Sequence, residues 1–483
     1  MASHSEISVD TRPLWIIVLG RSRQPLLLAI GVAIFWVVLT LARPEGLTEA
    51  GQKALAVFSL CVFYWVFDVI PLMITSLLAI ILIPLTGVMT APQAYALFGN
   101  EAVFFILGAF ILAACFMKSG LSTRLALTVL RRFGTTPRTL LVSVLLLNAA
   151  MSFVMSEHAV AAMNFPIIVE ITAVLRLGPR RSNYGRALFL AMAWGSTIGG
   201  VATLLGGGRA PLALGILKEA TGQTFSFVAW SAAILPLVAA LLIVAYAVIV
   251  YFFPIDIDSV QAADEALREK SMTLGRPGFN ERAIGTVMLL TFAAWVIGGE
   301  EFGLANIALA AVVLLFVLQL VNWRDVERYV NWGVILMYGG AICLGAAINK
   351  SGAAAWLAHV TISRWATGGP TVVLLLSFLA LLLTEAMSNS AVVALLMPVS
   401  LGIAAEFGMD PRVMALVVAV PAGLATTLPI GTPANAIAYS SGFLSIRDLV
   451  VPGAVLAVAS WVVFNLMANW YWPLVGLSIQ GSR

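Results

Sequence analysis

Apolar stretches recur along almost the whole chain, at about 25–42, 53–70, 71–89, 101–117, 139–155, 159–175, 187–205, 229–253, 284–298, 303–321, 332–349, 371–387, 390–405, 412–430 and 449–474. No other feature limits the fold so tightly. Sixty-one per cent of the 483 residues are hydrophobic and ten per cent are charged, against roughly a quarter charged in an ordinary soluble domain. The pattern predicts an all-α polytopic membrane protein whose first partner is the lipid bilayer. The net charge of +4 is no sign of nucleic acid, because the basic residues gather in loops between spans. Cys61, Cys115 and Cys343 lie within apolar stretches without metal-ligand spacing and read as buried thiols. Met1 to Arg23 is polar and then basic, and the apolar run behind it lacks a small-residue cleavage site. That predicts a retained first helix with a cytoplasmic N-terminus. Trp65, Trp295, Trp323 and Trp470 suit the interfacial belts, and Glu101 and Asp68 lie near span ends.

Several stretches are only about 15–17 residues, short of the roughly 20 a helix needs to cross a bilayer. One short pair, 139–155 and 159–175, has Arg124, Arg131, Arg132 and Arg138 before it and Arg176, Arg180, Arg181 and Arg186 after it. Basic flanks mark the cytoplasm, so the segment goes in and returns on the same side as a re-entrant hairpin. Its tip carries Ser156, Glu157 and His158, and irregular backbone at that depth must line a cavity or be buried in protein. A matching elbow, Thr384-Glu385-Ala386-Met387-Ser388-Asn389-Ser390, has sparsely charged flanks that place it on the outer side. The spacing that carries Ser156 to Ser388 also carries Gly108-Ala109 to Gly340-Ala341, Lys118-Ser119-Gly120 to Lys350-Ser351-Gly352, and Arg132 to Arg364. Matched units entering from opposite faces form an inverted-topology repeat, which puts a solute near the midplane between them. The count is then about 11 transmembrane helices plus two re-entrant hairpins. Most of the 27 Lys and Arg fall inside, Arg209 lies within the bilayer, and the C-terminus is outside. Ile255 to Arg282 reads as a solvated cytoplasmic linker, and amphipathic segments at 121–133 and 353–366 lie along the membrane surface.

Serine and asparagine at an elbow cap the limb that follows, leaving free N–H groups and a positive helix end that suit an anion. The opposite limb ends in carbonyls that suit sodium. A cap on a buried helix explains Ser388, Asn389 and Ser390 equally well when they are taken alone. They are not alone: Leu428-Pro429-Ile430-Gly431-Thr432-Pro433-Ala434-Asn435 breaks an apolar helix and restarts it with Thr432 as cap and Pro433 at the first position. The first half has Trp194-Gly195-Ser196-Thr197-Ile198-Gly199-Gly200 and then Gly206-Gly207-Gly208-Arg209 in the corresponding region. There the glycines, Gly207 among them, either let backbone approach a ligand or serve helix packing.

Thr384-Glu385, Ser388-Asn389-Ser390 with Pro398, and Gly431-Thr432-Pro433-Ala434-Asn435 are similar to the hairpin and broken-helix signatures of the divalent-anion/sodium symporter family. That family carries dicarboxylates, citrate and sulfate. The resemblance spans most of the chain and implies an elevator-type transport domain sliding against a dimerising scaffold, hence a homodimer. The implied division is scaffold at 1–118, an arm at 119–136, the first half of the transport domain at 137–254, more scaffold with the cytoplasmic loop at 255–350, an arm at 351–369, and the second transport half at 370–483. It also implies that Ser388, Asn389, Ser390, Thr432 and Pro433 touch substrate, and that Thr384, Asn389 and Gly431 belong to one sodium site.

The first half departs from the family pattern. Ser152 and Ser156 remain for a first sodium site, but its asparagine is Glu157, and the Gly-Thr-Pro motif has become Gly206-Gly207-Gly208-Arg209. A charge within the membrane needs a partner, and Glu157 is the simplest one for Arg209. The pair either stands in for the first sodium ion or holds the hairpin against the broken helix. His158 occupies the position of a substrate-contacting threonine and brings either proton coupling or plain hydrogen bonding. Glu385 either braces its tip or binds a cation.

The sequence thus reads as a secondary active transporter, not an enzyme, in a bacterial-type inner or plasma membrane. It would carry a small di- or tricarboxylate-like anion between the tips at Ser156 to His158 and Ser388 to Ser390, with a sodium ion and no organic cofactor. An ion-independent anion exchanger and a proton-coupled carrier are the rivals. A cation/proton antiporter using Glu157 and Glu385 fits the hydroxyl and amide groups less well, and Ser156 beside His158 lacks the third group an enzyme would need.

Overall fold

The computed structural model describes residues 14–361 and 368–480. His4, Arg12 and the rest of the N-terminal tail before residue 14, as well as Arg364 in the second amphipathic segment, lie outside the described residues. The described chain is helical, in the order α1 (Leu14–Thr40), α2 (Glu49–Val66), α3 (Leu72–Leu85), α4 (Ala91–Ala96), α5 (Glu101–Lys118), α6 (Leu121–Phe133), α7 (Pro137–Met151), α8 (Glu157–Val174), α9 (Asn183–Gly199), α10 (Arg209–Thr221) and α11 (Phe227–Phe252). There follow α12 (Gln261–Thr273), α13 (Phe279–Phe302), α14 (Leu304–Val317), α15 (Trp323–Tyr329), α16 (Trp332–Lys350), α17 (Ala353–Thr361), α18 (Gly369–Thr384), α19 (Asn389–Phe407), α20 (Pro411–Ala419), α21 (Pro433–Ser440) and α22 (Ile446–Trp470). Among the described residues Met409 and Gln480 form an isolated antiparallel bridge and there is no strand. Among the described residues seven helices are long and apolar enough to cross a membrane.

Helix starts follow the capping rule. Thr48, Thr136, Ser182, Ser226, Asn331, Ser388, Asp410, Thr432 and Ser445 each accept a hydrogen bond from a backbone N–H of the turn they open, satisfying donors that have no partner within the helix. Buried surface is concentrated in α9, where every residue from Tyr184 to Gly199 is buried except Arg186. A helix apolar on all sides belongs at the centre of a bundle.

The matched glycine–alanine pairs share one use. A Cβ on Gly108 would lie 2.7 Å from the Ala308 Cβ, and one on Gly340 would lie 2.2 Å from the Ser76 carbonyl oxygen. Both glycines let helices touch at backbone distance, α5 on α14 and α16 on α3. The two halves also interlock: α10 packs on α19 and α20, while α21 packs on α8 and α9. Each broken helix therefore sends its second piece into the other half.

Two sequence expectations change. The stretch 255–282 is more than a solvated linker. Asp256 accepts hydrogen bonds from the Asn183 and Tyr184 N–H groups at 2.8 and 3.0 Å, capping α9 from outside. Within the same stretch α12 buries Ala263 and Leu267 and packs on α6 and α8, with Lys270 paired to Glu170. Its small apolar stripe, two residues one helical turn apart, is easily hidden among Asp264, Glu265, Arg268 and Glu269. Trp65 and Trp295 are core rather than belt residues, each 2 % exposed, with indole N–H groups donating to the Leu72 and Leu304 carbonyls. Trp323 and Trp470 stay exposed. Cys61, Cys115 and Cys343 are buried and form no disulfide. Glu101 pairs with Lys218.

Candidate functional site

Both elbows are short turns between helices, residues 152–156 between α7 and α8 and residues 385–388 between α18 and α19. The broken helices are α9–α10, interrupted at 200–208, and α20–α21, interrupted by a short 3-10 turn at Pro421–Gly423 and irregular chain to Thr432. Three first helical residues meet where these parts converge: Glu157 of α8, Arg209 of α10 and Asn389 of α19. Glu157 is 0 % exposed and Arg209 2 % exposed. The Arg209 Nη1 lies 3.1 Å from Glu157 Oε2, and Asn389 Nδ2 donates to Glu157 Oε1 at 3.1 Å. Glu157 and Asn389 are 232 residues apart, so matching positions of the two elbows touch each other directly. The Glu157 N–H donates to the Gly206 carbonyl at 3.0 Å, tying the first elbow to the first break.

Arginine at the first position of a helix faces the positive end of the macrodipole, and burial makes it costlier still. Glu157 offsets both. Glycine makes the room. A Cβ on Gly423 would lie 2.0 Å from Arg209 Nε, one on Gly207 2.3 Å from its Nη1, and one on Gly200 2.7 Å from Glu157 Oε2. Glycines of both breaks thus crowd around an internal ion pair.

In the second half, Thr384 Oγ1 lies 2.8 Å from Asn389 Oδ1 and 2.6 Å from the Ala422 carbonyl oxygen. Three oxygens converge and the hydroxyl supplies one hydrogen, so one of these contacts is poorly compensated unless a cation joins them. Oxygen donors of this kind suit a hard cation. Gly431 adjoins the same region: its Cβ would stand 3.3 Å from the Thr384 carbonyl oxygen and 3.1 Å from Glu385 Oε2. The Glu385 carboxylate accepts from the N–H groups of Thr426, Thr427 and Leu428 at 2.9, 3.0 and 2.9 Å, which is the bracing alternative for that residue. Asn435 donates to the Ala425 and Leu428 carbonyls at 3.2 and 3.3 Å, closing the break from its other side.

The remaining sequence candidates fall around this network. Ser388 caps α19 through the Ala391 N–H at 3.2 Å, Thr432 caps α21 through the Ala434 N–H at 3.3 Å, and Pro433 is exposed at the first position of α21. Ser156 is the N-cap residue of α8, yet its side chain makes no capping bond. The Ser152 hydroxyl is buried with no hydrogen-bond partner among the described residues. His158 is half-exposed, with Nδ1 3.7 Å from Glu157 Oε1. Ser390 Oγ approaches Gly208, standing 3.3 Å from where a Cβ there would be. The Tyr338 hydroxyl of α16 stands 2.9 Å from that same point and is buried. Sequence reasoning missed Tyr338, since one tyrosine in an apolar helix gives no signal. It also missed Ala422, whose contribution is a backbone carbonyl.

Known proteins share both the fold and the sequence pattern. Among structures, the chain resembles the YdaH transporter of Alcanivorax borkumensis with a TM-score of 0.56 at 17% identity, covering 80% of this chain and 88% of that one. It resembles MtrF of Neisseria gonorrhoeae, from a class of antimetabolite efflux pumps, with a TM-score of 0.55 at 13% identity and 95% coverage of both chains. At these identities the likeness is one of fold. In sequence, the sodium-dependent dicarboxylate transporter SdcS of Staphylococcus saprophyticus is 29% identical over 476 residues, 93% of this chain and 91% of that protein. The SdcS of a Staphylococcus aureus strain is 28% identical over 482 residues, with 94% and 92% covered. The family profile described as the sodium:sulfate symporter transmembrane region matches residues 23–478. The chain is therefore an integral membrane transport protein, not an enzyme, and belongs to the sodium:sulfate symporter family.

Proposed function

We propose that the protein is a secondary active transporter of a small di- or tricarboxylate-like anion, coupled to sodium through one site, with Arg209 and Glu157 in place of a second. The observation that carries this reading is the cluster of Thr384 Oγ1, Asn389 Oδ1 and the Ala422 carbonyl, three oxygens within 2.6–2.8 Å contacts that share one hydrogen. Gly431 completes the retained site. Ser152 and Ser156 are the remnant of the other, where the guanidinium supplies a fixed positive charge. The SdcS relatives, named as sodium-dependent dicarboxylate transporters, support the substrate class.

Anion binding follows from the charge balance. The N-termini of α8, α10 and α19 meet beside Arg209, and Glu157 is the one carboxylate in direct contact with that guanidinium among the described residues. Each helix end carries about half a positive charge, so the convergence is net positive and favours a multivalent anion. Ser156, His158, Gly207, Ser388, Asn389, Ser390, Thr432 and Pro433 line the substrate side. In this reading α7–α8 and α18–α19 are re-entrant hairpins entering from the cytoplasm and the outside, and the N- and C-termini lie on those respective sides. Residues 137–254 and 370–483 form the moving domain of an elevator, 1–118 and 255–350 the dimerising scaffold, and 119–136 and 351–369 the arms. The limbs α7 and α18 have 15 and 16 residues, about 22–24 Å of helix, shorter than the roughly 30 Å hydrocarbon core.

The test is uptake into proteoliposomes of dicarboxylates, tricarboxylates, sulfate and sulfonates, each with a sodium gradient, a proton gradient, or internal counter-substrate. Sodium-driven uptake of a carboxylate is the expected result. A second reading, ion-independent exchange, is favoured by the permanent charge of Arg209, and uptake driven by counter-substrate alone would establish it. Proton-driven uptake would point instead to His158.

A further inference from the structure

We infer that Glu157 is a positioning residue for the sodium site of the opposite repeat: its carboxylate fixes which way the Asn389 amide faces. The inference rests on the proposed role of Thr384 and Asn389 as sodium ligands and adds a residue that touches neither the ion nor its other ligands.

Hydrogen-bond direction carries the argument. Arg209 can only donate, and its guanidinium stands in ion contact with Glu157 Oε2 at 3.1 Å, outside hydrogen-bond geometry. An ionised carboxylate can only accept, so Glu157 Oε1, 3.1 Å from Asn389, must face the amide NH2 and not the amide oxygen. The two ends of an asparagine amide are hard to distinguish by shape, and the surrounding network decides between them. Here one orientation is forced. With its NH2 committed to Glu157, Asn389 turns Oδ1 toward Thr384 Oγ1, 2.8 Å away, where the Ala422 carbonyl also arrives. The donors therefore converge on the carboxylate: Arg209 and the Asn389 NH2 both face Glu157, and the Thr384 hydroxyl donates to Asn389 Oδ1, which links a fixed cation in the first half to an oxygen cluster in the second. All four side chains are buried, so water does not compete for these contacts.

The substitution Glu157→Gln reverses the bonds beyond residue 157 and leaves the Arg209 contact as it was. Arg209 would hold the glutamine carbonyl, which leaves the glutamine NH2 facing Asn389. Asn389 would then answer with its own oxygen and turn its NH2 toward Thr384. A cation site that gains two N–H hydrogens in place of a carbonyl oxygen loses a ligand and acquires a repulsive group. The expected effect is a weakening of sodium binding by about tenfold or more.

The experiment uses the purified full-length protein and follows thermal unfolding while sodium chloride replaces choline chloride at constant ionic strength. Wild type is expected to gain Tm with sodium and to define a midpoint concentration. Glu157→Gln is expected to raise that midpoint about tenfold or more. The double variant Glu157→Gln/Asn389→Asp returns it toward wild type, because the introduced carboxylate accepts from the glutamine NH2 with one oxygen and offers the other to Thr384. A lower Tm in Glu157→Gln with the sodium midpoint unchanged means that Glu157 serves stability alone and overturns the inference. If the single variant does not fold, the double variant decides, and a folded double variant without a sodium response overturns it as well. Absence of any sodium response in wild type removes the sodium reading itself, which separates that failure from failure of the positioning role.

Discussion

The two elbows share a backbone plan and differ in what fills it. In the second, uncharged groups hold the centre: Ser388 caps its own helix, Thr384 and Asn389 bring oxygens to the Ala422 carbonyl, and Glu385 stands to one side gathering the N–H groups of the neighbouring break. In the first, Ser156 caps nothing, an ion pair occupies the centre, and glycines press around it. One half gathers uncharged oxygens around the Thr384 hydroxyl. The other carries its cation on the chain. The difference implies that removing charge from the first half costs more than removing any single polar group from the second.

Arg209→Met tests that most severely. It leaves the Glu157 carboxylate, 0 % exposed, facing only the Asn389 amide and its neighbours. Orphaning one member of a buried ion pair costs about 3–5 kcal/mol, which unfolding of the purified protein would register as a large loss of Tm. Replacing both members, Arg209→Met with Glu157→Met, is expected to recover most of that loss, because a buried pair is often no more stable than apolar residues of similar volume. Transport separates the readings. If the guanidinium stands in for an ion, the double variant transports poorly or acquires a steeper sodium dependence. Unchanged transport with unchanged sodium dependence would make the pair purely structural.

Gly423→Ala attacks the same ion pair from the second half. The added Cβ would lie 2.0 Å from Arg209 Nε and 2.7 Å from the Val201 Cγ1. The arginine cannot swing aside while Gly207 and Glu157 hold its other end. Overpacking of this kind costs up to about 3 kcal/mol, and a double-mutant cycle with Arg209→Met checks it: with the guanidinium gone, most of the penalty of the alanine is expected to vanish.

Much of this arrangement could be read in the sequence, for identifiable reasons. Same-sign flanks around Ser156 to His158, together with recurring spacing from Lys118-Ser119-Gly120 to Lys350-Ser351-Gly352, pointed to the paired elbows. The partnership of Arg209 with Glu157 followed from the cost of burying a lone charge. What could not be read was contributed by backbone or by geometry. The Ala422 carbonyl has no side-chain signature, and the contact between Glu157 and Asn389 depends on how closely the two tips approach. The purpose of Gly423 shows only once Arg209 is seen to pass beneath it. The helix α12 was hidden because its buried stripe is just Ala263 and Leu267 within a charged segment.

Glu385→Gln probes the second half alone. The carboxylate accepts from three backbone N–H groups through both oxygens, whereas an amide offers one acceptor oxygen and turns a donor toward the remaining N–H groups. Losing charge-assisted bonds at this depth costs about 2 kcal/mol. Tm is the first readout. Sodium dependence is the second, because a Gly431 Cβ would stand 3.1 Å from Glu385 Oε2 and 3.3 Å from the Thr384 carbonyl oxygen.

The smallest effects separate the elbows most cleanly, since they compare the same atom at equivalent positions. Ser388 Oγ accepts from the Ala391 N–H at 3.2 Å, and removing such a cap costs about 1 kcal/mol. Ser156 is also an N-cap residue, but its hydroxyl makes no capping bond, so Ser156→Ala is expected to leave stability within about 0.5 kcal/mol of wild type. A hydroxyl that contributes nothing to its own helix is available to something else. If that is the substrate anion, Ser156→Ala raises KM for uptake while Tm stays put, and Ser388→Ala lowers Tm whether or not substrate is present. Equal and parallel losses of Tm in both variants would show that the two serines serve the same structural purpose, and the asymmetry between the elbows would then be confined to Glu157 and Arg209.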